Sequence, residues 1–245
     1  MALTIHPMNL GLAAVDSSFM VFGHNPGTPV LAPCTSYLIL GGEKPIMVDS
    51  GFRDAEELTA SSGVRFTQAE DQTLEANLAR HRLRPDDIGM VIHTHLHIDH
   101  AGLDHLLSNA RIVCQRSELQ YAAAPDFGVG FFDRVDIATL VGPLYNNFDF
   151  VHGDEEVVPG VRVVKTGGHT PGHQMVYVDV DSGPAVITGD IVYVREPALT
   201  QQIPPGLVTD LRETMRALER IKRDAAHVLP MHDETIYAEY PDGVR

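Results

Sequence analysis

The run His93-Thr94-His95-Leu96-His97-Ile98-Asp99-His100-Ala101-Gly102 constrains this chain more than any other feature. It follows Met90-Val91-Ile92, an apolar triplet that reads as a buried strand, so it begins where a strand runs out into a loop. His95 and His97 are two apart and project to the same side there. Asp99 and His100 follow where the chain can turn and aim them at a second point. Imidazole and carboxylate are the usual ligands of zinc and its first-row neighbours. One such cluster supplies parts of two metal shells and closes neither.

The remainder must come from other strand ends, and three stand in suitable places. His169 lies in Gly167-Gly168-His169-Thr170-Pro171-Gly172-His173, after a strand ending near Thr166. Asp190 ends the strand that begins at Ala185. His232 follows the strand through Leu229. All could converge on one sheet edge, where strand ends fix positions and loops vary. His24, His81, His105, His152 and His227 lack such company and read as ordinary polar residues. His93 reads as a satisfied core histidine, and His173 either as a partner of a ligand or as a turn residue.

Around these landmarks the chain reads as α/β. Tyr37–Leu40 and Ile46–Val48 flank the turn-like Gly41-Gly42-Glu43-Lys44-Pro45 as a hairpin. Thr67 and Glu70 have capping-box spacing, which predicts a helix from there to Arg82. A short helix is expected over Gly102–Leu107 and a strand over Arg111–Gln115. Pattern dissolves between Ala122 and Phe150. Strands resume at Val161–Val164, Met175–Val180 and Ala185–Thr188. Leu211, Met215, Leu218 and Ile221 repeat at helical spacing before a last strand at His227–Leu229. No linker divides the halves, so residues 1–245 are expected to form one domain of two similar layers.

Composition narrows the function classes. Thirty-three acidic residues against 18 basic give a formal net charge of −15, which repels phosphate backbones and anionic membranes. Neither nucleic acid nor membrane is an expected partner. Cys34 and Cys114 form no CxxC pair and suggest no disulfide scaffold. Met1–Leu10 shows no basic start followed by an apolar run, and no stretch approaches spanning length, so the expectation is a cytoplasmic protein.

His95-x-His97-x-Asp99-His100, then His169, Asp190 and His232, resembles the dinuclear signature of the metallo-β-lactamase superfamily. The resemblance implies an αββα sandwich. It implies one metal on His95, His97 and His169, a second on Asp99, His100 and His232, and Asp190 as the bridge. Asp49, in Val48-Asp49-Ser50-Gly51, resembles the family's aspartate that orients a ligand imidazole. The ions expected are two zinc, with iron, manganese or cobalt as alternatives.

Several branches fit less well. Flavodiiron proteins resemble His-x-Glu-x-Asp, but His97 stands at the Glu position. Class B lactamases lack the bridging aspartate that Asp190 supplies. Glyoxalase II carries a further helical region, whereas only thirteen residues follow His232. RNA-processing members need a basic surface. Similarity is greatest to N-acyl homoserine lactonases, through Gly153–Val161, Gly168–Gln174 and Gln115-Arg116-Ser117-Glu118. Tyr193, three residues after Asp190, stands where those enzymes place a substrate-contacting tyrosine. Residues 16–33 and 127–150 depart from that branch.

The resemblance implies lactone ring opening by a hydroxide shared between two metals. Two +2 ions less Asp99, Asp190 and hydroxide leave roughly +1, which suits a neutral substrate that becomes an oxyanion. Tyr193 would steady the carbonyl oxygen and Asp99 would carry the proton to the leaving oxygen. Gly-x-Ser-x-Gly is absent, so a serine-esterase mechanism is not supported. Phe19, Met20, Phe22 and aromatics of 127–150 are candidate pocket walls, with core packing or a dimer contact as the competing reading. Other readings kept open are pyridoxolactonase, a glyoxalase II-type thioesterase and a non-catalytic metal-binding ligand sensor. Monomer and homodimer are equally compatible with the sequence.

Overall fold

Period-two burial sorts the strands into layers. In Ile46–Val48 the outer two residues enter one core and Met47 another; Met90–Ile92 divides the same way around Val91. In Gln174–Val180, Val176, Val178 and Val180 face that first core while Met175 and Tyr177 face a third. Strands apolar on both faces must be covered on both sides. The computed structural model does this with helices outside and two sheets face to face, the αββα sandwich that the resemblance implied. It describes residues 2–127 and 129–245; Gly128, in the 122–150 stretch, lies outside the described residues.

The strands are β1 (Thr4–Asp16), β2 (Pro29–Leu40), β3 (Ile46–Val48), β4 (Arg65–Thr67), β5 (Met90–Ile92), β6 (Arg111–Gln115), β7 (Phe148–Val151), β8 (Glu155–Val158), β9 (Val161–Lys165), β10 (Gln174–Val180), β11 (Gly183–Ile187) and β12 (His227–Leu229). The first sheet runs β4-β1-β2-β3-β5-β6-β7 and the second β12-β11-β10-β9-β8. Helices are α1 (Ser17–Met20), α2 (Ala55–Ser62), α3 (Leu74–Arg80), α4 (Arg116–Ala123), α5 (Arg134–Val141), α6 (Arg195–Gln201), α7 (Leu211–Asp224) and α8 (Thr235–Glu239). The apolar side of α3 covers the first sheet, and Ala217, Leu218 and Ile221 of α7 cover the second.

Strand direction places the site. β3 and β5 are parallel, so Asp49 and the histidine run leave the first sheet on one edge. β11 and β12 are parallel, and β9 shares their direction through two antiparallel steps, so His169, Asp190 and His232 leave the second sheet together. The two edges face each other across the sandwich.

Three expectations are revised. Thr67 does not cap a helix: it ends β4 paired with Leu12, and α3 starts later with Thr73 as its cap. Strand pairing outweighed a local capping pattern. Gly102–Leu107 narrows to a 3-10 turn over Asp104–Leu107. The stretch from Ala122 to Phe150 is more ordered than its sequence suggests: Asp133 caps α5, and β7 joins the sheet parallel to β6. Cys34 and Cys114 are free and buried. No helix among the described residues is long and apolar enough to cross a membrane.

Candidate metal centre

All seven expected ligands meet between the sheet edges, in two groups. His95, His97, His169 and Asp190 form one; Asp99, His100 and His232 form the other. All but Asp99 are buried.

The hydrogen bonds around the histidines decide where their lone pairs point. Thr94 Oγ1 donates to Asp49 Oδ2 at 2.7 Å, so it can accept from His95 Nδ1–H at 3.1 Å. His169 Nδ1–H donates to the Leu207 carbonyl at 2.8 Å. Both residues therefore turn an unprotonated Nε2 toward His97 Nδ1, each at 3.0 Å. One N–H cannot satisfy two such acceptors. Three imidazole nitrogens converging at this spacing fit a cation among them, with outer partners fixing each tautomer.

The second group is built alike. His100 Nδ1–H donates to Asp49 Oδ2 and His232 Nδ1–H to the Pro33 carbonyl, each at 2.8 Å. Their Nε2 atoms then face the centre, and His100 Nε2 is buried without a hydrogen-bond partner. Asp190 stands between the groups. Its Oδ2 lies 3.3 Å from His169 Nε2 and 3.8 Å from His95 Nε2. Its Oδ1 lies 3.2 Å from His232 Nε2 and 3.4 Å from His100 Nε2. One carboxylate thus offers an oxygen to each group.

Charge follows the same division. Burial, then the neighbouring imidazoles, holds His95 well below its ordinary pKa; burial, then His169, does so for His97. Neutral imidazole is the ligating form. Burial also lowers His100, but Asp190, Asp99 and Asp49 outweigh it and lift it to about 10. The carboxylate side of the centre draws in positive charge. Burial works against the Asp49 anion, yet His100 and His93 hold its carboxyl down at about 2. Asp49 sits at φ +59°, a left-handed conformation uncommon for a non-glycine residue. There it reaches the Thr94 N–H at 2.7 Å as well as His100.

The match to known proteins is extensive. The family model described as "Metallo-beta-lactamase superfamily" matches residues 30–232. This chain belongs to that superfamily. An N-acyl homoserine lactonase from Bacillus sp is 32% identical over 224 residues, covering 87% of this chain and 83% of that protein. The N-acyl homoserine lactonase AiiA of Bacillus thuringiensis subsp. kurstaki is 32% identical over 197 residues, 76% of this chain and 74% of its own. A solved N-acyl homoserine lactone hydrolase, carrying the product N-hexanoyl-L-homoserine at its catalytic metal centre, superposes with a TM-score of 0.86. It is 25% identical and covers 100% of both chains.

Tyr193 and a pocket lie beside the two groups. The Tyr193 ring packs edge-on to His232, 4.8 Å between centroids, and is buried. Burial, then Asp190 and Asp99, keeps its hydroxyl well above the ordinary phenol pKa, so it stays a donor. A pocket of about 60 Å³ opens over Asp99, Asp190, Tyr193 and His232. Of the candidate wall residues, Phe19, Met20 and Phe131 line it. Phe22 does not and is exposed, Phe132 lies in the core beneath α4 and α5, and Phe148 and Phe150 pack against that core. The sequence reading missed Ala13, Val15 and Phe66, which β1 and β4 bring over the site, and Val64 just before β4. His93 is a core histidine satisfied on one side only: its Nε2 lies 3.0 Å from Asp104 Oδ1, while its buried Nδ1 makes no hydrogen bond, 3.5 Å from Asp49 Oδ1.

Proposed function

We propose that the chain is an N-acyl homoserine lactonase holding two divalent metals, zinc first among them. His95, His97 and His169 hold one ion, Asp99, His100 and His232 the other, and Asp190 joins them. The observation that carries this reading is the Asp190 carboxylate, which offers one oxygen to each ligand group beneath an apolar pocket. The names of the relatives supply the substrate class.

When bound, such a metal pair makes a nucleophile from water at neutral pH and polarises a carbonyl. The chain's own groups do the rest. Tyr193 donates its hydroxyl proton in a hydrogen bond to the lactone carbonyl oxygen as negative charge grows there. Asp99, the ligand least withdrawn from solvent, passes a proton from the attacking water to the ring oxygen as the ring C–O bond breaks. Water's oxygen ends in the new carboxylate, one proton on the new hydroxyl, and one proton is released. Phe19, Met20, Phe66 and Phe131 keep bulk water from the acyl side.

A substrate panel tests this. Metal-loaded protein is offered acyl homoserine lactones of several chain lengths, pyridoxolactone, simple esters, a glutathione thioester and a β-lactam, with proton release as the signal. Acyl homoserine lactones should turn over fastest. Preference for pyridoxolactone, the thioester or the β-lactam would move the chain to another branch. Ligand binding without any turnover would make it a sensor.

A further inference from the structure

Glu118 lies in the first turn of α4, where an acidic side chain ordinarily serves the helix N-terminus from the surface. Here it is fully buried and points away into the sandwich edge. Its Oε1 accepts the Leu96 backbone N–H at 3.1 Å. Its Oε2 accepts the Thr170 hydroxyl at 2.7 Å and the Gly172 backbone N–H at 3.0 Å. Leu96 sits between His95 and His97; Thr170 and Gly172 follow His169. One carboxylate therefore ties together two loops, from different sheets, that carry three histidines of one group.

We propose that Glu118 is the positioning residue of the three-histidine metal site, locking His95 and His97 to His169. This rests on the metal-centre reading and not on the identity of the substrate.

The chemistry suits the task. All three partners are donors, so the carboxyl group serves them as an acceptor. Gly172 lets the contact form, because a Cβ there would stand 2.3 Å from the Glu118 backbone nitrogen. Leu96 packs beside Leu119 and Ala122, so the helix grips this peptide through its side chain as well. None of the three bonds reaches Asp99, His100 or His232. The clamp should serve one site only.

Stepwise zinc titration of metal-free protein against a chromogenic chelator tests that selectivity. His169→Ala and His232→Ala first identify which step belongs to which group. Glu118→Gln keeps the shape but turns one acceptor into a donor facing N–H groups. It should weaken the His169 step about 10–100-fold, the usual effect of losing a partner behind a ligand, and leave the His232 step unchanged. The visible spectrum of cobalt in the His169 site should shift in parallel. Thr170→Val removes one bond of three and should move the same step less; it decides the matter if Glu118→Gln does not fold. Both steps weakening together would show a general structural role and overturn the proposal, as would an unchanged His169 step. Wild-type protein with no metal step would overturn the metal centre itself. A failed lactone assay leaves this titration untouched.

Discussion

His173 holds the backbone of Asp190: its Nε2 accepts the Asp190 N–H at 3.1 Å. On the other side its Nδ1–H donates to Thr166 Oγ1 at 2.7 Å, and the Thr166 hydroxyl donates onward to the His173 carbonyl at 3.2 Å. Burial, then His169, pushes the ring down to about 3, so it stays a neutral acceptor. Gly189 permits the approach, since a Cβ there would meet His173 Nε2 at 2.4 Å. Both sequence readings describe part of this residue: its N–H closes a turn on the Thr170 carbonyl at 3.2 Å, and its ring holds the Asp190 backbone.

His173→Ala should therefore disturb Asp190 without touching a ligand. A buried N–H left without an acceptor costs about 1–3 kcal/mol. Thermal denaturation should show that loss, and dialysis against a chelator should strip metal more readily than from wild type, by about tenfold or more. Unchanged metal retention would make the ring mere packing.

Asp190→Asn tests the shared carboxylate directly. The amide keeps one oxygen and replaces the other with a donor that faces whichever cation it meets. Elemental analysis should fall from two ions per chain to one or fewer. Turnover should fall at least as far as the about 10–100-fold typical when a ligand's outer partner is lost. Two retained metals at full activity would sink the bridging role.

The proposed ligands were legible because they fall in the loops that leave apolar strands, β5, β9, β11 and β12. Asp49 was legible for the same reason. What surrounds them was not. Val15 and Phe66 reach the pocket through the register in which β1 pairs with β4, where Ala13 faces Phe66, and no local pattern encodes that register. Glu118 looks like any helix-start glutamate until two loops close over it. Thr67 failed differently: its spacing to Glu70 was correct for a cap, but pairing with Leu12 claimed its backbone first.

A pH effect away from the metal can be separated from metal loss at His6. Burial, then His81 and Arg245, lowers its pKa to about 4 against a smaller upward pull from Asp242. The ring lies tilted against His81, 4.6 Å between centroids, and its Nε2 meets Thr4 Oγ1 at 3.0 Å. Between its ordinary value, about 6.5, and about 4, the unfolded chain takes a proton that the folded chain refuses. Stability then rises with pH, and this contribution is lost as pH falls through that window. Urea midpoints at pH 7.5 and pH 5 should differ less in His6→Gln than in wild type. Metal loss on acidification affects both proteins and cancels in the comparison. An identical acid sensitivity would remove His6 from the account.

Tyr193→Phe is the variant that separates the lactonase from a superfamily member with the same metals. The ring lies between the two groups, 4.8 Å from His232 and 6.0 Å from His169 by centroids, so phenylalanine preserves the packing. Only the hydroxyl is lost. It belongs to the pocket with Asp99 and Asp190, and burial, then those two carboxylates, keeps it protonated. A donor there offers no lone pair to a metal, but it can meet an oxyanion forming at a lactone carbonyl. Losing one preorganised donor typically costs about 10²–10³ in turnover, and less where a metal shares the charge. The expected result is thus kcat lowered by about tenfold or more, with two metals per chain and the melting temperature of the wild type. If the hydroxyl only packs, kcat stays normal and the assignment of Tyr193 to the carbonyl oxygen falls. If kcat drops together with metal content, the hydroxyl instead supports Asp190, and the donor role must be given to another group.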